Sequence, residues 1–480
     1  MRSFRPLGLA RSLRAFAVAT LLATAGSVWA GSSGTRLNQP AGQPAGQPAG
    51  QPAGQPAAAA AAASSGFALG DPYLRIVDIG PGEAKLQIAS KSFVKFGGSG
   101  GAGPVVHLTG AIHIADAGFY TSLQTMLDKM DVVLFEGVRP KGGSRLPADA
   151  TDDQRETATK DRVEMVAGIV KAMWEATGTM PRSLAEIGEA KPKLKSMLED
   201  LAVDGWGKPI GIEVITVNAK LSDKADDADA ATAKNPDAGK SIRVFSNGKD
   251  HKSGGDGHSG DVEKIVTAPK SGSGKNKNLQ EKLAKAFGLS YQGEAMNTGK
   301  PNWRSSDLSI DQIIKRAKES GGDASLLLSM LDGNSMLAKL GGFVLGFIEA
   351  SPALRATMKV TLVEVLANAD PEAGGAALGK GGGALMKVII EDRNDVVLGD
   401  LEQIITSEPG VKTVSAFYGA GHMADMEKKL VGQHGYAPGE VVWIDAVLLS
   451  AKELGISEKD FAKMRKSAAA SAKSMMKKPK

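Results

Sequence analysis

One short phrase occurs at two distant places in the chain, Gly110-Ala111-Ile112-His113 and Gly419-Ala420-Gly421-His422. Each follows an apolar, β-branched run, Val105-Val106-His107-Leu108-Thr109 in the first case and Thr413-Val414-Ser415-Ala416-Phe417-Tyr418 in the second. Each leads into an amphipathic stretch. A strand–GxxH–helix unit used twice constrains the fold strongly. It predicts an open α/β sheet with two imidazoles at the carboxyl ends of strands, where such sheets build their sites. The chain has only six histidines, and these two stand in matched settings.

After the first phrase, Phe119, Leu123, Met126, Leu127 and Met130 recur near the 3.6-residue period and predict a helix. A second apolar run, Val132-Val133-Leu134-Phe135, ends at Glu136. Unbroken apolar runs suit a parallel sheet covered on both faces. A right-handed crossover then brings His113 and Glu136 out on one edge. His107 reads as a strand residue facing the interior, and His434 as a loop residue.

The 480 residues are enough for more than one domain, or for one domain with a large insertion. Arg2, Arg5, Arg11 and Arg14, then the apolar Ala15–Ala25 and the small residues around Val28-Trp29-Ala30, read as a secretory signal over 1–30. Cysteine is absent, so there are no disulfides and no lipid-modified cysteine. An exported location, periplasmic or elsewhere in the cell envelope, is expected. Residues 31–66 carry Gln-Pro-Ala-Gly repeats and an alanine run, a composition that buries no core and reads as a flexible tether.

The folded sequence divides into a first half (67–151), an inserted block (152–278) and a helix-rich second half (279–462). The net charge of +5 owes much to a basic run over 463–480, read as a solvated tail. No basic patch is interleaved with aromatics, so no nucleic-acid partner is expected. The apolar stretch Ser335–Ala350 is too short to span a bilayer, and no transmembrane span is expected in the mature chain. Met386–Ile390, followed by Glu391-Asp392-Arg393-Asn394-Asp395, reads as a helix start or a strand end. The fold class expected is therefore α/β. A mixed or parallel sheet carries helices on both faces and is interrupted by a small α+β domain with a calcium loop.

His113, Glu136 and His422 make a two-histidine, one-carboxylate set suited to Zn²⁺, Mn²⁺, Fe²⁺ or Co²⁺, and three protein ligands leave positions open for water. Arg393 is a candidate for stabilising negative charge near the reacting centre. A plainer reading stands beside this one. The glycines serve only the turns, the histidines only cap helices, and Glu136 pairs with a cation for which Arg393 is the candidate.

The segment Val105–Arg139, with GAIH and LFEG, together with Arg393-Asn394 and YGAGH, resembles the TraB/PrgY/GumN and TIKI superfamily. Leu283 to Asp307 also resembles the region which that family places between its halves. The resemblance covers about half of the mature chain. It implies an EreA/ChaN-like α/β fold and, for the TIKI branch, divalent-metal-dependent peptidase activity with Mn, Co or Zn. By position it implies catalytic roles for His113, Glu136, Arg393 and His422, with His113, Glu136 and His422 as metal ligands.

In the inserted block, Val163, Val166, Ile169, Val170, Met173 and Trp174 predict a helix ending at Thr177-Gly178. Ile210–Val217 and Ile242–Phe245 predict strands, with a polar loop over Asn218–Lys240 and a Ser/Gly/Lys linker over Ser271–Asn278. The run Asp250–Asp261 is dense in glycine and aspartate. It reads either as a polar loop or as a Ca²⁺ loop with hard oxygen ligands, though not at EF-hand spacing. Arg162–Leu184, Asp204–Pro209 and SIRVFSNGKDHKSGGDGHSGDV resemble the C-terminal globular part of the type II secretion major pseudopilin, the GspG-like family. That resemblance implies a structural calcium on Asp250, Asp256 and Asp261. Gly205 replaces the usual proline, and neither a prepilin cleavage site nor an apolar assembly helix precedes the block. A docking role is therefore expected rather than assembly into a pseudopilus.

Three readings follow. One is an exported metal-dependent hydrolase acting on a peptide or protein substrate. Another is a non-catalytic envelope protein that binds a secretion-system or pilus-like partner. A metal- or haem-handling protein is a third.

Overall fold

The computed structural model describes residues 66–95, 103–138, 146, 149–191, 194–216, 240–267, 284–285, 287–322, 351–368 and 381–475. The signal, nearly all of the tether, most of the Asn218–Lys240 loop, the Ser271–Asn278 linker and Ser335–Ala350 lie outside the described residues. Among the described residues, no helix is long and apolar enough to cross a membrane.

The main sheet is mixed. Its order is β1 (Leu74–Gly80), β2 (Glu83–Val94), β3 (Val105–Ala111), β11 (Thr413–Gly419), β5 (Val132–Phe135) and β10 (Trp303–Ser305), and β12 (Ala437–Ser450) pairs along β2. The last four on the main path, β3 through β10, are mutually parallel. β1, β2 and β12 form an antiparallel wing, joined to β3 through β2. Val414 sits between Val106 and Val132 in the parallel register, all three buried. The unbroken apolar runs are thus the strands that need cover on both faces.

That cover comes from two sets of helices. On one face lie α1 (Ala117–Leu127), α3 (Pro352–Ala367) and α6 (Glu458–Met475), which contribute Phe119, Leu123, Val363 and Phe461 to a core with Ile88, Val133 and Phe417. On the other face, α4 (Arg393–Ser407) and α5 (Met423–Gly432) set Val397, Leu401, Met426 and Leu430 against Val106, Leu134 and Ala416. A buried ladder of hydroxyls fixes the register across three strands, with Ser90 Oγ 2.8 Å from Thr109 Oγ1 and Thr109 Oγ1 3.0 Å from Ser415 Oγ.

The basic run differs from its expectation as a solvated tail. Up to Met475 it lies in α6, where Ala468 and Ala472 are buried and Arg465 bonds Glu364 and Asp78. Small side chains let the helix approach closely, and the basic residues carry the exposed face.

β4 (Ile114–Ala115) and β9 (Ser290–Tyr291) form a short antiparallel pair, and a further sheet, β6 (Gly211–Thr216), β7 (Lys240–Ser246) and β8 (Val262–Thr267), is antiparallel throughout. α2 (Asp152–Thr177) packs Val163, Val166, Val170 and Trp174 on Ile242, Val244 and Val266 in a core of their own. A capping box between Thr151 and Gln154 starts α2, and Gly178 in the left-handed conformation ends it.

Candidate functional site

Four parallel strands deliver their carboxyl ends to one edge. His113 follows β3, His422 follows β11, Glu136 follows β5, and Asp307 follows β10 two residues on. The strand order alone therefore gathers two imidazoles and two carboxylates. Gly110 serves the approach of its neighbours, since a Cβ there would stand 3.0 Å from Ile88 Cγ2 and 3.5 Å from Ala420 Cβ.

Arg393 is the first residue of α4. The helix leading to it passes through a π turn, Val388–Asp392, whose Ile389 carbonyl accepts from Arg393 Nη1 at 3.4 Å. Its guanidinium is 1 % exposed and binds two carboxylates. Nε and Nη2 donate to Asp307 Oδ1 and Oδ2 at 2.8 and 2.7 Å, and Nη2 also donates to Glu136 Oε1 at 2.8 Å. The second oxygen of Glu136 accepts from the Gly419 N–H at 2.7 Å. Burial alone would raise the Glu136 pKa. The charge of Arg393, the two histidines and the Gly419 N–H outweigh it and hold the carboxyl at about 2. Burial likewise works against the guanidinium charge, and Asp307 with Glu136 overcomes it, so Arg393 stays charged. The pairing of Glu136 with Arg393, the plainer reading of these residues, is thus present.

Each histidine is oriented by an amide. His422 Nδ1 lies 2.8 Å from Asn394 Oδ1, and the Asn394 amide is itself fixed because its Nδ2 donates to the His422 carbonyl and to Asp425 Oδ2. His113 Nδ1 lies 3.0 Å from Gln292 Oε1, and the Gln292 N–H donates to the His113 carbonyl at 2.9 Å. An amide oxygen only accepts, so Nδ1 carries a proton in both rings, and in the neutral ring the lone pair then lies on Nε2. That is the arrangement found around metal-binding imidazoles, whose other ring nitrogen donates to a supporting oxygen.

The donor chemistry of His113, Glu136 and His422 therefore fits a divalent transition metal. His422 Nε2 stands 3.8 Å from Glu136 Oε1 and 3.5 Å from Arg393 Nη1. His113 contributes to the field at Glu136, but the three donors do not all lie within 4.8 Å of one another. The structure brings Glu136, Arg393 and His422 into direct contact and sets His113 a step back. Asp307, Asn394 and Gln292 were not singled out from the sequence. β10 is only three residues long, too short for periodicity to mark Asp307 as a strand-end carboxylate.

His107 is half-buried in β3, and burial pushes its imidazole pKa down. His434 lies in the turn after α5. In the insert, Asp250, Asp256 and Asp261 share one loop, but their carboxylates do not gather as a three-donor set. Asp250 accepts from the Lys252 N–H at 3.1 Å, and Asp261 accepts from Gly254 N–H at 3.1 Å and stands 3.4 Å from Arg243 Nη2. The loop is tightly wound at Gly248, with φ +66°, where a Cβ would meet the carbonyl oxygens of His258 and Gly260 at 2.8 Å.

Set against known proteins, the chain matches no family model, no curated protein and no solved structure.

Proposed function

We propose that the chain is an exported, divalent-metal-dependent hydrolase of the TraB/TIKI type that acts on peptides. The observation that carries the reading is the pair of buried imidazoles at adjacent strand ends, each with Nδ1 on an amide oxygen, in the field of an ionised Glu136. A divalent ion held there supplies Lewis acidity and brings the pKa of water toward neutrality. The chain's own residues do the rest. Asn394 and Gln292 fix the imidazole tautomers, and Arg393 keeps Glu136 anionic and in place. Asp307 balances the guanidinium, so that the site does not carry an uncompensated buried cation. In the same reading the insert is a GspG-like docking domain stapled by Ca²⁺ at Asp250, Asp256 and Asp261, and the tether positions the enzyme in the envelope.

The test is an unbiased peptide library incubated with protein loaded with Mn²⁺, Co²⁺ or Zn²⁺, with cleavage read by mass spectrometry. The reading expects metal-dependent cleavage that Glu136→Gln abolishes. Cleavage unaffected by Glu136→Gln, or none with any of the three metals, contradicts it.

One observation favours the non-catalytic alternative. Both oxygens of Glu136 are engaged, by Arg393 and by Gly419. On that account the cluster is a buried ionic lock and the insert binds an envelope partner. A His113→Ala/His422→Ala protein would then keep its fold and its partner.

A further inference from the structure

The insert holds a second convergence of donors, far in sequence from the GxxH histidines. Asp153 lies in the first turn of α2 and Glu156 three residues on, a spacing that puts both carboxylates on one side of the helix. His258 reaches them from a short 3₁₀ turn, Gly257–Ser259, in the glycine-rich loop between β7 and β8. Its Nδ1 is 2.7 Å from Glu156 Oε2, and its Nε2 is 3.5 Å from Asp153 Oδ1. Among the described residues, no other three His, Asp or Glu side chains bring one donor atom each within 4.8 Å of one another.

We propose that Asp153, Glu156 and His258 form a transition-metal site, selective for Zn²⁺ over Ca²⁺, that clips the glycine-rich loop to α2. One imidazole and two carboxylates balance the ion's two charges and leave a position for water. A hard Ca²⁺ ion draws on oxygen ligands and gains little from imidazole, whereas Zn²⁺ accepts both. Around a tetrahedral ion with bonds of about 2.0–2.2 Å, donors stand roughly 3.3 Å apart. One nitrogen of His258 and one oxygen of each carboxylate already lie within 4.8 Å of one another, so torsional changes of accessible side chains close the set around that single nitrogen.

Acidic residues in a first helical turn also suit the positive end of the helix dipole. That reason accounts for Asp153 but not for Glu156 in the following turn, nor for an imidazole brought to both from 102 residues beyond Glu156. The neighbouring cations leave the inner donors free for the ion. Lys160 Nζ sits 2.5 Å from the other oxygen of Glu156, and Lys249 Nζ sits 2.6 Å from Asp152 rather than Asp153. The loop is braced to receive it, since the Lys249 N–H donates to the His258 carbonyl at 2.8 Å.

The experiment is calorimetric titration of the full chain with Zn²⁺ in excess Ca²⁺, comparing wild type with His258→Gln and with Asp153→Asn/Glu156→Gln. Wild type should bind one Zn²⁺ equivalent more than either variant, and Zn²⁺ should slow proteolysis within residues 247–260 in wild type alone. Equal stoichiometry in wild type and variants overturns the proposal, as does loss of the difference to Ca²⁺. The GxxH histidines are intact in every protein compared, so the outcome does not depend on the function assigned to them.

Discussion

Arg393 decides the character of the site at the scale of single residues. It is a fixed, fully buried cation flanked by Glu136 and Asp307. Removing one partner of such a set leaves charges buried without compensation, at a cost of roughly 3–5 kcal/mol. Arg393→Ala should therefore lower unfolding stability by about that amount in urea titrations. Arg393→Lys should not restore it, because an ammonium cannot bridge two carboxylates as the planar guanidinium does. Asn394→Ala should act differently. It removes the acceptor that fixes the His422 tautomer, and it should weaken Co²⁺ or Zn²⁺ affinity by about 10- to 100-fold with the fold preserved.

A separate residue gives a pH dependence. Burial works against the Asp128 carboxylate, but hydrogen bonds from Lys300, Gln124 and Trp303 and the Lys300 charge hold its pKa below the ordinary value of 3.8. An acid with a depressed folded pKa contributes stability that is present above the unfolded value and lost as pH falls through the folded one. The loss therefore falls below pH 3.8. Asp128→Asn should give a shallower loss of stability there, measured by thermal unfolding at stepped pH.

At the scale of elements, what the sequence made legible was what period and repetition encode. Val105–Thr109, Val132–Phe135 and Thr413–Tyr418 read as strands because each is a continuous apolar run closed by glycine or a carboxylate, and they pair in parallel. The helix ending at Thr177-Gly178 was equally legible, since its apolar period and its C-terminal glycine agree. The short elements were not. Trp303–Ser305 has no period to read, and with it Asp307 went unseen as the fourth strand-end residue of the site. Gln292 was hidden for a related reason: it is brought to His113 by a two-residue pairing, Ile114 with Tyr291 and Ala115 with Ser290, which no local pattern announces. The alanine-rich basic run read as a tail because alanine carries little hydrophobic signal, yet Phe461, Ala468 and Ala472 seat it as a helix. Phe461→Ala should cost about 3–5 kcal/mol in equilibrium unfolding, as for other buried aromatics. A change under about 0.5 kcal/mol, the range of ordinary surface substitutions, would mean that this helix is not docked.

At the scale of the whole molecule, one mixed sheet carries the GxxH site at the carboxyl edge of its parallel half. A smaller antiparallel sheet with its own core lies between the two halves of the chain that build it. The fold class was readable because the GxxH phrase recurs with its strand. The closing of the site was not, since it depends on Gln292, Asp307 and the consecutive Arg393 and Asn394, brought together from three separate segments. The central claim is that His113, Glu136 and His422 share a divalent metal. The most direct measurement is the metal content, by plasma mass spectrometry, of His258→Gln protein and of the same protein carrying His113→Ala/His422→Ala, each loaded with Co²⁺ or Zn²⁺ and freed of excess. The account predicts one equivalent per chain in the first and none in the second, with both folded by circular dichroism. Equal metal content in the two folded proteins would contradict it.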